Sequence, residues 1–522
     1  MTIRFLLAYI LFSIFTNTIL AQDIDFLLTR KYADNSFRDG DYAYALENYL
    51  VLFEDDKKNI DLNFKVGICY TETNIDKGKA IPLLEYVVSH NNKPVRSYYY
   101  LGRAYMYSYR FIEAVEAFYE YKMDGISQEL LSESDRLIEM CYYALELINQ
   151  PVNVTFEKIN ASVNTKFDEF YPFISADGLN MFFTSNRTYV DEFEDYIANV
   201  FYSVNKKGIW ESGLELPDVT TYDNEQVVGV TPLADKIMIY ANGDYSTHDI
   251  KVILKKGSKF TNISSETLPN DINTEDVEMG ACLSADGNTL YFASDRRGGR
   301  GGLDIYVAKK NAGGLWGQPE SLGTTINTEY DDNFPTLSAD GKYLYFASKG
   351  HSGVGGYDIF QSFFNEETGS WTPPLNLGFP INTPVDNTTI SFTQDGKTAY
   401  MSANRKEGFG KLDVYKLTFG EDAQQPAIYM GNVMVGTEAN SVPYSEDFLK
   451  AYATFYDEYD NIIAQLPVLS DGGQFFASLY PGNYKLEVKF SGAKSGYSEQ
   501  VSLTEADVNE PKFQMIYLKP IE

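Results

Sequence analysis

The feature that most constrains the fold is a short phrase that recurs along the middle of the chain. Four copies end in Asp-Gly, at Asp177, Asp286, Asp340 and Asp395, and a decayed copy ends at Asp235. Successive copies lie about 55 residues apart. A period of this length predicts a radial or stacked array of β units, because one unit alone cannot bury its apolar face.

Each full copy combines the Asp-Gly turn with other phrases in a fixed order. In the third copy these phrases are Ile272–Thr274 (Ile-Asn-Thr), Leu290–Ser294 (Leu-Tyr-Phe-Ala-Ser) and Asp304–Tyr306 (Asp-Ile-Tyr). Asp-Gly is typical of a hairpin turn, and the apolar phrases read as buried strands. Four strands per copy predict a propeller blade.

Residues 151–420 are therefore predicted to form a five-bladed β-propeller. The last copy stops without its fourth strand, and the spare segment Val152–Phe156 would complete it and close the ring. Six blades is the alternative, if the irregular stretch Tyr189–Pro217 contains another unit.

The chain before this array has helical apolar spacing. Tyr98, Leu101, Gly102 and Tyr105, followed by Ala114 and Phe118, match the tetratricopeptide pattern. Two more degenerate copies precede this one, and a final helix at 128–148 would cap the stack. The prediction for residues 22–150 is an α-helical solenoid, in which Gly67 and Gly102 allow close approach of paired helices.

Such a solenoid has a concave face that binds proteins. With Gly102 taken as the packing position, three- and four-residue spacing places arginines, tyrosines and a methionine on that face. Arginine and tyrosine are favoured at protein interfaces. The predicted partner-binding residues are Arg30, Arg38, Arg96, Tyr99, Arg103, Met106 and Tyr107. The alternative is that they are solvated ends of core helices.

Residues 427–522 follow a polar linker and read as short strands separated by turns. They predict a small transthyretin-like β-sandwich.

The N-terminal residues and the net charge restrict the location and the partners of the protein. Residues 1–21 have the apolar core and small residues of a secretory signal peptide, with an uncleaved anchor as the alternative. The formal net charge is −30, which disfavours nucleic acid and anionic lipid as partners. No later segment is expected to span a membrane, and the mature protein is expected to be soluble in an envelope compartment.

Catalytic and metal-binding patterns are weak. Gly350–Gly353 is one residue short of a nucleophile elbow, and the three histidines lie in separate segments. Cys69, Cys141 and Cys282 have no metal-binding spacing, although a bridge between Cys69 and Cys141 stays open. We therefore expect no catalytic residues, no metal, no cofactor and no enzymatic activity. The alternatives are a propeller-based hydrolase or glycan-binding enzyme, and a sensor of periplasmic ligands.

The loop Asp295–Gly302 combines two arginines with glycines and could pass for a phosphate-binding loop. The next copies keep glycine at this place but not the charges, which indicates a hairpin that needs glycine. We predict cross-hairpin ion pairs of Arg296 with Asp304 and of Arg405 with Asp413. Arg297 and Arg300 are predicted as exposed contacts for a partner.

The repeated phrases resemble the TolB-type subclass of WD40-like propellers, and the C-terminal phrases resemble the carboxypeptidase regulatory-like domain. The three-part order resembles the Bacteroidetes envelope proteins typified by PorE of the type IX secretion system. The resemblance implies a periplasmic scaffold for secretion or gliding, near the outer membrane, with partners of the PorP/SprF kind. Such proteins commonly also carry an OmpA-like domain, which we do not expect here, so binding to peptidoglycan is not implied.

Overall fold

The structure is a computed structural model that describes residues 27–519. It leaves out 74, 126, 193–194, 217–223, 242–247, 256–262, 367–368, 421–426, 446–449, 459, 461, 469–472, 480, 492–495, 505–506 and 508–511. The predicted signal peptide and most of the predicted linker lie outside the described residues. The chain divides into two compact units. The first runs to Val152 and resumes over Phe156–Thr418, and the second contains Asn153–Thr155 and the chain from Phe419 onward.

The first unit begins, among the described residues, with seven helices joined by short turns. They are residues 27–38 (α1), Tyr42–Asp55 (α2), Ile60–Glu72 (α3), Ala80–Val88 (α4), Ser97–Tyr107 (α5), Phe111–Asp124 (α6) and Gln128–Asn149 (α7). Side chains of Asp41, Asn59 and Ser127 accept from backbone N–H groups at the starts of α2, α3 and α7, as N-cap residues do.

Two glycines allow neighbouring helices to pack closely, as predicted. A Cβ atom at Gly102 would lie 2.6 Å from the ring of Phe118, and one at Gly67 would lie 2.8 Å from Leu84. Contacts this short are not tolerated in a well-packed core. The pairs α3–α4 and α5–α6 therefore depend on glycine at these two positions.

The remainder of the first unit consists of antiparallel sheets whose strands are mostly consecutive in the chain. The first two sheets contain Glu169–Ile174 (β2), Asn180–Val190 (β3), Asp195–Lys206 (β4), Ile209–Trp210 (β5) and Leu214–Glu215 (β6), then Glu225–Val230 (β7), Lys236–Ala241 (β8), Ile250–Lys255 (β9) and Ile263–Thr267 (β10). The third contains Glu278–Leu283 (β11), Thr289–Ser294 (β12), Asp304–Lys309 (β13) and Glu320–Ser321 (β14).

The fourth and fifth sheets follow the same order. They contain Asp332–Leu337 (β15), Tyr343–Ser348 (β16), Asp358–Asn365 (β17), Ser370–Trp371 (β18) and Leu375–Asn376 (β19), then Ser391–Phe392 (β20), Thr398–Ala403 (β21) and Asp413–Phe419 (β22). Val154–Lys158 (β1) precedes all of them in the chain and pairs with β22. The predicted spare strand is thus the outer strand of the last sheet.

The predicted fold class is wrong as stated. The described chain is mostly β, and its seven helices form a short layer instead of the predicted tetratricopeptide solenoid. The described strands form five sheets in this region, and neither a closed five-bladed ring nor the alternative of six blades is shown. The repeats predicted the local hairpins correctly. The number of sheets that close a ring depends on how one sheet packs against the next, and a repeat pattern does not encode this packing.

The first strands of neighbouring sheets pack against each other with little space. A Cβ atom at Gly229 in β7 would overlap the carbonyl oxygen of Ala281 in β11. A Cβ atom at Gly280 in β11 would lie 2.6 Å from the backbone nitrogen of Phe334 in β15. The backbones of β7, β11 and β15 therefore approach as closely as glycine permits.

The second unit is a sandwich of two sheets around its own core. Its strands are Ala427–Thr437 (β23), Asn440–Pro443 (β24), Ala451–Tyr456 (β25), Ile462–Pro467 (β26), Gln474–Leu479 (β27), Gly482–Phe490 (β28), Tyr497–Leu503 (β29) and Lys512–Leu518 (β30). One sheet has the order β24-β23-β27 with β30 parallel to β23, and the other has the order β26-β25-β28-β29. Tyr429 and Phe475 from the first sheet pack on Phe455 from the second.

Substitution of Gly280 by alanine tests this close packing. We expect Gly280→Ala to lower the free energy of unfolding by about 1–3 kcal/mol, because a new methyl group meets backbone that cannot move aside. Denaturant unfolding measures the change. Gly313→Ala is the control, since a Cβ atom there meets only the exposed side chain of Asn311, at 3.2 Å. Equal stability of the two variants would contradict the packing described.

Candidate functional site

The recurring phrase around each Asp-Gly turn has a structural role. Ser284 donates to Asp286, whose Oδ1 also accepts from the backbone N–H of Asn288 at 3.0 Å. These bonds lower the pKa of Asp286, chiefly through the bond from Ser284. Gly287 follows in the left-handed region at φ +70°. The carboxylate is thus used inside its own turn.

Two more Asp-Gly turns, those of the first and last sheets, border a cleft of about 550 Å³. Asp177 and Asp395 line it together with Tyr400 and Lys416. Both aspartates accept hydrogen bonds from their own turns. The Oδ1 atoms of both carboxylates in this cleft are thus engaged in their own turns.

The Ile-Asn-Thr phrase joins one sheet to the next. Asn327 accepts from the backbone N–H of Ile305 at 2.8 Å and donates to the carbonyl of Ile305 at 3.0 Å. Thr328 then donates its backbone N–H and its hydroxyl to Asp332. The same two-way amide bond occurs at Asn164, Asn273 and Asn382. This phrase is an inter-sheet clamp.

The glycine loops fold around a carboxylate. The backbone N–H groups of Arg300 and Gly301 donate to Asp304 Oδ2, at 2.6 and 3.1 Å. Asp358 and Asp413 accept the corresponding bonds in the next two sheets. Because these N–H groups are already occupied, the loop is not a phosphate cradle. Arg297 and Arg300 are exposed, and their contact with a partner stays a prediction.

The predicted cross-hairpin ion pairs are wrong. Arg296 pairs with Glu278 at 3.0 Å, and Arg405 pairs with Glu407 at 3.0 Å. The physical reason is burial: Glu278 is fully buried at the start of β11 and takes the nearest guanidinium, whereas Asp304 already accepts two backbone N–H groups. Arg187 pairs with the equally buried Glu169 in the same way.

Several acids at the strand starts are buried, and burial raises their pKa values. Burial raises the pKa values of Asp332 and Asp358 to about 7, and it also raises that of Asp413. Oδ1 of each of these three, and Oδ1 of Asp304, is buried without a hydrogen-bond partner. No external ligand can reach these groups, because all four residues are at most 1% exposed.

Aromatic residues lie at the bulges of two first strands. Tyr171 in β2 and Phe334 in β15 both have left-handed backbone, at φ +52° and +53°. Their rings lie 4.7 Å apart, and the ring of Tyr357 lies 6.3 Å from Phe334. A bulky residue in this conformation costs about 1–3 kcal/mol, and such strain is concentrated at functional sites.

Charged groups border these rings. Lys349 pairs with Asp331 at 2.8 Å, and its ammonium lies 4.4 Å from the centre of the Tyr357 ring. Burial raises the pKa of Asp331, but the hydrogen bond from Lys349 and, to a smaller extent, one from the Tyr357 hydroxyl bring it below its ordinary value. Asp386 accepts from the backbone N–H of Tyr357 at 2.9 Å and is exposed. We call Tyr171, Phe334, Tyr357, Asp331, Lys349 and Asp386 the aromatic rim.

The helical layer contacts the rim at one edge. Arg136 in α7 donates to the carbonyl of Lys349 at 3.0 Å, and its guanidinium lies 4.8 Å from the centre of the Tyr330 ring. Glu133 holds Arg136 in place through an ion pair at 2.7 Å. The rim is therefore fixed by residues from the helices as well as from the sheets.

The predicted groove does not form as one surface. Tyr99 and Met106 are buried in the helical core, at 6% and 3% exposure, because their side of α5 packs towards the other helices, with Tyr99 beside Phe118 and Tyr121. Their assignment to a groove is corrected.

The remaining groove residues are scattered. Arg103 pairs with Glu72 and donates to Tyr107, and Arg30 pairs with Asp61 at 2.6 Å. Arg38 and Arg96 are exposed. Partner binding by these five residues stays a prediction.

Metal and disulfide chemistry have little support in the described part of the chain. Cys69, Cys141 and Cys282 are buried and free, so the optional bridge between Cys69 and Cys141 is not formed. Across the residues that the structure describes, no group of three or more acidic, histidine or cysteine side chains could hold a metal ion. None of the helices described is both long enough and apolar enough to span a bilayer.

Comparison with known proteins returns no matching family model and no matching curated protein. Similar solved structures include a glycoside hydrolase (12% identity, 56% of this chain and 96% of that chain, TM-score 0.37). They also include an α-L-arabinofuranosidase from Lactobacillus brevis (14%, 51% and 94%, 0.33) and a Trypanosoma rangeli sialidase (12%, 65% and 60%, 0.29).

These comparisons contradict the prediction of a non-enzymatic scaffold, since the similar structures are glycoside hydrolases and related enzymes. The identities and TM-scores are too low to assign any of their activities or sites to this chain. The resemblance to PorE-type envelope proteins, the periplasmic location and the suspected partners stay predictions.

Sequence reasoning missed the aromatic rim, although a signal for it exists. Glu169-Phe170-Tyr171-Pro172 and Asp332-Asn333-Phe334-Pro335 share the order acid, any residue, aromatic, proline. The strained aromatic is the third residue in both. Comparing the first strands of the repeats would have found this pair.

The raised pKa of Asp358 gives a test by pH. The ordinary value is 3.8 and the folded value about 7, so only the folded state holds the proton between these limits. The free energy of unfolding should therefore fall as pH rises from about 4 to about 7. Asp358→Asn should flatten this dependence, as measured by denaturant unfolding at several pH values. The exposed Asp276→Asn is the control, and an unchanged slope in Asp358→Asn would refute the assignment.

Proposed function

We propose that the sheet region of the first unit binds a saccharide on the aromatic rim. The observation that carries this proposal is the strained pair Tyr171 and Phe334, in which Phe334 is buried at 3% exposure and supports the partly exposed ring of Tyr171 beside charged side chains. Strain of this kind persists only where the surrounding structure enforces it. A rigid aromatic surface with a few polar groups around it is the usual form of a small-molecule site.

The polar groups of the rim suit hydroxyl groups as ligands. Asp331 and Asp386 supply carboxylate oxygens, which form strong bonds with O–H donors. Lys349 supplies N–H donors, and Tyr357 presents an aromatic body with a polar tip. A sugar ring offers the matching set, with hydroxyls at its edge and C–H groups on its face.

The charges of the rim favour neutral or cationic ligands. Its single ammonium, Lys349, is already paired with Asp331, while Asp386 is exposed. The chain as a whole carries a net charge of −30. Repulsion therefore disfavours nucleotides and acidic polysaccharides.

The acidic groups of the rim can accept hydrogen bonds from a saccharide. The aspartates whose pKa values burial raises are closed to ligands, and the pKa of the rim residue Asp331 is lowered. The rim thus supplies an ionised acceptor at Asp331. The proposal rests on this geometry and not on the likeness to glycoside hydrolases.

The substitution Asp386→Asn tests the site. Asparagine keeps an acceptor for the N–H of Tyr357 but removes the charge, so the fold should persist while charge-assisted bonds to hydroxyls are lost. We expect saccharide affinity to fall about tenfold, which corresponds to about 1.4 kcal/mol. Calorimetric titration against a panel of neutral oligosaccharides measures the change.

Asp395→Asn is the matched control, because Asp395 lies in an Asp-Gly turn and belongs to no part of the rim. Its affinity should equal that of the unmodified protein. Absence of saccharide binding by the unmodified protein, or equal affinity in Asp386→Asn, would refute the proposed function.

A further inference from the structure

The hairpin β3–β4 in the first sheet is longer than its counterparts. Its strands pair past a bulge between Ser185 and Thr188 and continue to the pair Val190–Asp195. The corresponding pairings in the third and fourth sheets end at Ser294–Asp304 and Ser348–Asp358, where the glycine loops begin. Since β2 pairs with β3 only from Glu169–Ser185 inwards, the extra residues project beyond the start of β2.

This projecting hairpin carries aromatic side chains that contribute little to the core. Tyr189 and Tyr196 are cross-strand partners with ring centres 5.0 Å apart, and they are 49% and 45% exposed. The ring of Phe167 lies 4.7 Å from that of Tyr196. We call Phe167, Tyr189 and Tyr196 the aromatic platform. Exposed aromatic clusters of this kind mark binding surfaces.

The platform is anchored from below. A Cβ atom at Gly410, in the glycine loop of the last sheet, would overlap the carbonyl oxygen of Phe167. The next residue, Asp168, accepts from the backbone N–H of Leu412 at 2.8 Å. Both contacts fix the chain that carries Phe167, so the platform has a rigid base.

The surroundings of the platform are acidic. Asp191, Glu192 and Asp195 are exposed on the hairpin, and Asp168 lies next to Phe167. Lys166 lies over the ring of Phe167 at 5.0 Å, and Arg187 is turned inward to Glu169. Aromatic faces attract ammonium groups, and clustered carboxylates create a negative potential that also attracts cations.

We propose that the aromatic platform is a second saccharide subsite, and that it prefers sugars carrying amino groups. The inference rests on the proposed function, because platform and rim are read as parts of one binding surface. Tyr171 in the rim lies four positions after Phe167, a span of at most about 13 Å at the rise of an extended strand. One oligosaccharide can therefore reach both.

The test uses the full chain and two ligands of equal length, an oligomer of glucosamine and its N-acetylated counterpart, at a mildly acidic pH where the amines are protonated. Four proteins are titrated: the unmodified chain, Tyr189→Ala/Tyr196→Ala, Tyr189→Phe/Tyr196→Phe and Tyr142→Ala. Tyr142 is a matched control, because it is 49% exposed but lies in α7. Circular dichroism confirms that each variant is folded.

The unmodified chain should bind the amino oligomer about tenfold more tightly than the neutral one. The double alanine variant should lose this preference and keep its affinity for the neutral oligomer within about twofold, because the rim is untouched. The double phenylalanine variant retains the aromatic faces and should keep the preference, as should Tyr142→Ala.

The platform proposal and the proposed function are contradicted by different results. If the neutral oligomer binds but the amino oligomer has no advantage, or keeps it in the double alanine variant, the platform proposal fails and the proposed function stands. If neither oligomer binds, both fail. Tyrosine-dependent binding of oligolysine, or a tyrosine-dependent dimer in sedimentation, without binding of the glucosamine oligomer, would overturn the platform proposal in favour of a peptide or a second copy.

Discussion

The buried carboxylate at the start of a strand is the constraint on which the sheet region depends. Such a group needs hydrogen bonds or a cation, because an isolated charge is costly to bury. The protein meets this need in two ways. Glu169 and Glu278 at the first strands each take an arginine. Asp304 at a third strand takes backbone N–H groups from a glycine loop.

These bonds explain why the repeats look as they do. Glycine is needed where the loop closes on the aspartate: a Cβ atom at Gly299, Gly353 or Gly408 would overlap the carboxylate. Asparagine suits the inter-sheet clamp, since its amide accepts from and donates to one backbone residue at the same time. The residues that recur are thus those that satisfy buried polar groups, and the residues that vary between repeats are free to form a site.

The sequence was most informative where a local rule applied. The Asp-Gly turns, the close-packing glycines Gly67 and Gly102 and the strand that completes the last sheet all follow from spacing and turn chemistry. The number of blades and the extent of the helical part do not follow from spacing, because they depend on contacts between one sheet or helix pair and the next. The groove assignment of Tyr99 failed because an aromatic residue at helical spacing is equally suited to a core. The arginine pairing failed because burial of Glu278 could not be seen in the sequence.

Hydrogen–deuterium exchange tests most directly whether the aromatic rim receives a saccharide. With the protein saturated by a binding oligosaccharide, we expect slower exchange of backbone amides in residues 168–174, 331–337 and 355–359. These segments carry Tyr171, Phe334 and Tyr357. Unchanged exchange there at saturation, or protection confined to the Asp-Gly turns, would contradict saccharide binding at the rim.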